Sequence, residues 1–289
     1  MRVISEVFGD NCKVKDIVKK GKCLIVTIDQ KKYAIKEKNN DELSNIYDYL
    51  SSRNFEYYPK ILFSSDNYNI YEYVDGVDNP IEQKAYDMMN ILSLLHTKTT
   101  YYKEMDIDEY KEIFENINYK INSRINYYNN LMNIIETHMF MSPSQYLIAR
   151  NISKILGALD YSRRSINEWY ELVKTKGKKR VVKLYNNIDL DHIVRNKEIY
   201  LLSWDKSKTG IPIYDLYNFY SKYSSVVDFK DLLKLYEDRY PLLEEEKILF
   251  NVLISIPNEI EFIDNEIDNC RNTKKIIDYI YRSEILVSK

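Results

Sequence analysis

Residues 180–216, RVVKLYNNIDLDHIVRNKEIYLLSWDKSKTGIPIYDL, constrain the fold of this 289-residue chain more than any other stretch. Short apolar runs separated by polar turns read as a strand over 180–184 and a tight polar loop over 185–192. A two-strand hairpin turning at Asn196 and Lys197 comes next, and a final loop closes on Tyr214-Asp215-Leu216.

This order resembles the catalytic segment of the aminoglycoside phosphotransferase and choline kinase families, relatives of the protein kinases. There the segment reads H-G-D, four residues, N, a hydrophobic hairpin, D-W-E, and then G-x-P-x-Y-D-L. Trp204, Asp205, Gly210, Pro212, Tyr214, Asp215 and Leu216 match that frame, with the same spacing from Ser203 to Gly210. The reactive positions differ. Tyr185 falls where the family has His, Asn187 where it has the catalytic Asp, His192 where it has the metal-binding Asn, and Ser203 where it has the metal-binding Asp. The resemblance further implies that Asp215 organises the loop by accepting backbone hydrogen bonds.

Phosphoryl transfer of this kind needs a carboxylate to take the acceptor hydroxyl's proton and side chains that hold magnesium against the transferring phosphate. The amide of Asn187 is no useful base, and Ser203 brings no negative charge to a metal. A neutral His192 suits softer metals than magnesium. The leading expectation is therefore a catalytically impaired pseudokinase that keeps a frame for ATP, GTP or another small ligand, with the changed ligands arguing against magnesium. An alternative is an active small-molecule kinase with relocated carboxylates, Asp205 holding metal and Asp189 or Asp191 acting as base. A third is a scaffold for a protein partner, because the layout also resembles kinase-like proteins associated with bacterial spore coats.

The resemblance extends upstream. Residues 12–37 alternate as three strands of a small antiparallel sheet, with turns at Gly21 and at 30–32. Tyr33-Ala34-Ile35-Lys36 resembles the kinase V-A-I-K strand, where the lysine pairs with nucleotide phosphates and a helix glutamate. Glu42, in a helix expected over 39–50, is the best match for that glutamate. No G-x-G-x-x-G loop precedes Lys36. Residues 67–76, NYNIYEYVDG, resemble the hairpin and hinge between kinase lobes, which would turn the backbone between Glu72 and Val74 toward an adenine ring; a hairpin ending in an Asp-Gly turn fits the same residues.

Helices are expected from Pro80 to His96, over 108–137 behind a capping box of Asp106 and Glu109, and from Ser142 to about Val173. The last of these is announced by a capping Ser, Pro143 at the first position and Gln145. Further helices are expected at 212–223, 229–240, 244–255 and 258–281. The fold class that follows is α+β: a protein kinase-like two-lobe fold, with an N-terminal lobe over 1–76 and a helical C-terminal lobe over 77–289. The family's acceptor pocket would be shaped by the helices between 108 and 173.

Composition narrows the partners. A net charge of −2, from 42 basic and 44 acidic residues, offers no broad attraction to nucleic acid or anionic membrane. Cys12, Cys23 and Cys270 are odd in number and lack metal-ligand spacing, as in a reducing cytoplasm. No uncharged run reaches membrane-spanning length, and the first residues carry no signal-peptide core. A cytoplasmic protein is expected.

Overall fold

A computed structural model of the protein describes residues 14–38 and 42–288. They divide into two compact units. One holds residues 14–99 together with 187–208, the other residues 100–186 with 209–288.

The first unit is built on a five-stranded antiparallel sheet in the order β1-β2-β3-β5-β4. Its strands are β1 (Val14–Lys20), β2 (Cys23–Ile28), β3 (Lys31–Glu37), β4 (Ile61–Ser64) and β5 (Tyr68–Glu72). Alternation sends Val26, Ile28, Ile35 and Ile70 into one buried cluster, while β1 stays largely exposed at the sheet edge. The β1–β2 turn needs the left-handed Gly21, and the β2–β3 turn places both Asp29 and Gln30 at positive φ. Cys12 and the start of the helix expected from residue 39 lie outside the described residues. The helix itself, α1, spans Leu43–Ser52 and buries Leu43, Ile46, Tyr47 and Leu50. Helix α2 (Ile81–Thr99) is mostly core-facing, with His96 fully buried.

The second unit is mainly helical. Its long helices α3 (Ile107–Thr137) and α4 (Pro143–Lys174) run before β7 (Lys178–Leu184), which is flanked by β6 (Tyr101–Glu104) and β10 (Lys208–Gly210). The capping box at Ser142 is formed, Gln145 closing back on the Ser142 N–H at 2.9 Å. The one expected at Asp106 is not. Asp106 accepts from the Asp108 N–H, but Glu109 turns to Lys179 instead of reaching back. Helices α5 (Ile213–Tyr223), α6 (Phe229–Arg239), α7 (Glu244–Ser255) and α8 (Glu266–Val287) complete the unit.

The last helix starts eight residues later than the apolar pattern implies, at Glu266. Asn269 bonds both the N–H and the carbonyl of Ile263 at 2.8 and 2.9 Å, holding the preceding loop out of helical form. Asn265 then caps α8 through the N–H groups of Ile267 and Asp268. No helix among the described residues is long and apolar enough to cross a membrane.

Candidate functional site

The segment that carries the resemblance is anchored at its entrance within the second unit. Asp215, in the first turn of α5 and fully buried, accepts hydrogen bonds from the backbone N–H of Tyr185 at 2.7 Å and of Asn186 at 2.8 Å. Those bonds fix the loop start just before Asn187. Asn186 sits at φ 54°, a left-handed conformation that Asn tolerates better than most side chains.

The polar residues beyond it lie in the first unit, together with Lys36. A hairpin of β8 (Ile193–Arg195) and β9 (Ile199–Leu201) separates two short 3-10 turns, Leu190–His192 and Trp204–Lys206. Trp204 is the fixed point. Its buried indole donates to the Leu201 carbonyl at 2.9 Å and packs edge-on against Phe55 and Tyr58. Ser203 and Asp205 therefore flank a tightly packed ring. Ser203 has φ 63°, ψ 65°, so a non-glycine residue is held in the left-handed region at this position.

Lys36, on β3, directs its ammonium to Ser203 Oγ at 2.6 Å and lies 3.9 Å from Asp205 Oδ2. Asn187 donates through Nδ2 to the Ser203 carbonyl at 2.8 Å, and its own backbone carbonyl meets His192 Nδ1 at 3.1 Å. If Nδ1 is the protonated nitrogen in that contact, Nε2 is left as the acceptor. Asp189 is turned to a different task, capping the 3-10 turn through the Asp191 N–H at 3.0 Å. Glu42 stands at the N-cap of α1, while the Lys36 ammonium is turned to Ser203 and Asp205.

The hinge candidates are split. The Glu72 N–H is spent on the Lys60 carbonyl at 3.1 Å, and Glu72 pairs with Tyr33 in the sheet. The backbone of Tyr73 and Val74 lies past the end of β5. Just beyond, Gly76 lies against the hairpin, where an added Cβ would come within 2.3 Å of Val194 Cγ1.

Several contributors escape a motif-based reading. Tyr47 from α1 stacks on Tyr58 with centroids 4.2 Å apart. Burial, and secondarily neighbouring groups that include Asp205, pushes the phenols of Tyr47 and Tyr71 up, that of Tyr71 to about 12. Asp87, buried on α2, receives the Arg195 guanidinium in a two-pronged pair, Nε to Oδ2 at 2.7 Å, and a bond from Gln83 at 2.7 Å. Apolar periodicity along α2 marks the face on which Asp87 sits but gives no sign of its partner.

The donor set does not suit magnesium. Ser203 Oγ already faces an ammonium, Asn187 presents an amide N–H, and of the groups around Lys36 only Asp205 offers a carboxylate. Among the described residues no group of three His, Cys, Asp or Glu side chains is disposed to hold a metal ion.

No family model and no curated protein matches the sequence. Solved structures do match. An aminoglycoside phosphotransferase from Alicyclobacillus acidocaldarius superposes with a TM-score of 0.66 at 9% identity, covering 95% of this chain and 93% of that one. The AMP-bound complex of a spectinomycin phosphotransferase gives 0.56 at 11%, over 100% and 99% of the two chains. The same enzyme with ADP and spectinomycin gives 0.54 at 12%, over 98% and 97%. At such identities the likeness is one of fold, and the chain has the protein kinase-like α+β fold of the aminoglycoside phosphotransferases.

Proposed function

We propose that this chain is a phosphotransferase-like protein impaired in catalysis, a pseudokinase, that binds ATP or GTP without magnesium. In this reading Lys36 meets the phosphates and the backbone of Tyr73 and Val74 meets the base. The AMP and ADP complexes of the spectinomycin phosphotransferase support nucleotide as the ligand class.

One observation carries the loss of catalysis. The groups at the reactive positions satisfy one another: Lys36 bonds Ser203 Oγ at 2.6 Å, and Asn187 donates its amide N–H to the Ser203 carbonyl at 2.8 Å. A donor amide cannot accept the proton of an attacking hydroxyl, and a serine hydroxyl paired with an ammonium adds no charge for a metal.

A specific observation favours a second reading, an active kinase: Asp205 approaches Lys36 to 3.9 Å and is partly exposed. Thermal unfolding with ATP and with GTP, each with magnesium, manganese or chelator, separates the two. Nucleotide at a hundredfold its Kd should stabilise by about 2.7 kcal/mol, a rise of about 2 °C or more for a chain of this size. The rise is expected to be the same with chelator as with metal, with no phosphate transferred. A rise that needs metal overturns the impaired reading in favour of Asp205. No rise with either nucleotide overturns nucleotide binding and leaves a platform for a protein partner.

A further inference from the structure

The first unit holds a cavity that takes no part in this reading. It measures about 400 Å³, a size typical of small-molecule sites, and is lined by α1, the segment 56–61, Ser64 of β4 and Asn69 of β5. Lys36, Tyr73 and Val74, which meet nucleotide in the reading above, do not line it, and neither do Asn187, Ser203 or Asp205.

Two of its lining groups are buried donors that lack an acceptor. Tyr47 is only 8% exposed, and a buried phenol ordinarily finds a partner. Its backbone carbonyl accepts from the Tyr58 hydroxyl at 3.1 Å, but its own hydroxyl makes no hydrogen bond among the described residues. Nor is that oxygen one of the atoms sealed in the interior, so it opens onto the cavity that the side chain lines. Burial holds the phenol well above its ordinary pKa, which keeps it an O–H donor. Asn69, 3% exposed, accepts from the Ser64 hydroxyl at 2.7 Å and gives one N–H to the Tyr71 hydroxyl at 3.4 Å, so its second N–H is left over.

The floor therefore calls for an acceptor, and a carbonyl oxygen suits it better than a carboxylate, whose desolvation there is costly. The rim differs. Lys60 carries a positive charge and Asp48 and Glu56 negative ones, and among the described residues none of the three is in an ion pair. A molecule that spans rim and floor has to bring both signs of charge at one end and an uncharged acceptor at the other. We infer that the cavity binds a free α-amino acid with a neutral, hydrogen-bond-accepting side chain. Its carboxylate lies at Lys60, its ammonium at Asp48 and Glu56, and its side-chain carbonyl on Tyr47 and Asn69.

L-Glutamine is the probe, titrated by calorimetry into the full chain without nucleotide, with L-norvaline as the analogue that keeps the zwitterion and lacks the side-chain amide. The expected result is saturable binding of glutamine, at least about tenfold tighter than norvaline. In Tyr47→Phe glutamine should weaken about tenfold while norvaline is unchanged, and in Lys60→Met glutamine should weaken about threefold. Because the Tyr47 hydroxyl has no partner to lose, unliganded Tyr47→Phe should melt no lower than the parent. No saturable binding of glutamine by the parent chain overturns the inference. So does norvaline binding as tightly as glutamine, full glutamine affinity in Tyr47→Phe or in Lys60→Met, or a lower melting temperature for unliganded Tyr47→Phe, which would reveal a partner for the hydroxyl within the fold. With nucleotide absent, failure here is distinct from failure of the nucleotide reading.

Discussion

Asp215 shows how much one side chain can decide. Its two carboxylate oxygens satisfy the N–H groups of Tyr185 and Asn186 from a fully buried position. In Asp215→Ala both donors lose a charged partner in the interior, which should cost about 3 kcal/mol or more; urea unfolding reads it, and an unchanged midpoint would show that the loop is held by something else. Lys36→Met makes a complementary prediction about ligand. It removes the ammonium from Ser203 Oγ and should abolish the nucleotide-induced rise in melting temperature while leaving the unliganded chain within about 1 kcal/mol of the parent. Asp215 is readable in sequence because spacing from Trp204 to Leu216 fixes the frame, and Lys36 from the run Tyr33-Ala34-Ile35-Lys36. Where each side chain points is not. Asp189 and Asp205 are both carboxylates near the motif, yet one caps a turn and the other faces Lys36, a difference set by backbone geometry at loop residues.

At the level of elements, local rules read well where the signal is local and fail where it is long-range. The capping box at Ser142 announces α4 in the sequence, and Ser142→Ala should cost about 1 kcal/mol by chemical denaturation. Strand β6 gives no such warning, since four exposed residues acquire strand form only by pairing with β7, as Tyr101 does with Val181. The late start of α8 has a related cause: a side chain, Asn269, competes for backbone groups that helical periodicity alone would assign to the helix. The pair of Asp87 and Arg195 joins α2 to the β8–β9 hairpin across 108 positions of sequence. Arg195→Met leaves a buried carboxylate with only Gln83, and should destabilise by about 2 kcal/mol, moderated by the partial exposure of the guanidinium. The double variant Asp87→Leu with Arg195→Met should recover part of that loss, which thermal melts of the three proteins would reveal.

Across the whole molecule the 28 tyrosines become a structural property. Many of their rings are buried, and burial penalises the phenolate. Tyr71 in the first unit and Tyr240 in the second are each pushed up to about 12, burial being the leading cause in both. An unfolded tyrosine titrates near about 10. Above that pH the unfolded chain binds fewer protons than the folded one, so stability declines as pH rises. Their contribution is complete below about pH 10 and is lost as pH passes through about 12, each such residue giving up on the order of 1 kcal/mol by pH 11. Tyr236, wholly buried and also raised, adds to the loss at high pH. Urea midpoints should therefore show little tyrosine-dependent change between about pH 7 and 9 and fall steeply above about 10, with phenolate absorbance appearing together with unfolding. Tyr71→Phe and Tyr240→Phe each remove a proton that only the unfolded chain gives up readily, so each should shift the alkaline midpoint upward. An alkaline midpoint that stays put in both variants, with phenolate absorbance rising near pH 10 in a chain that is still folded, would mean that these two hydroxyls reach water and that burial of tyrosine is not what limits stability at high pH.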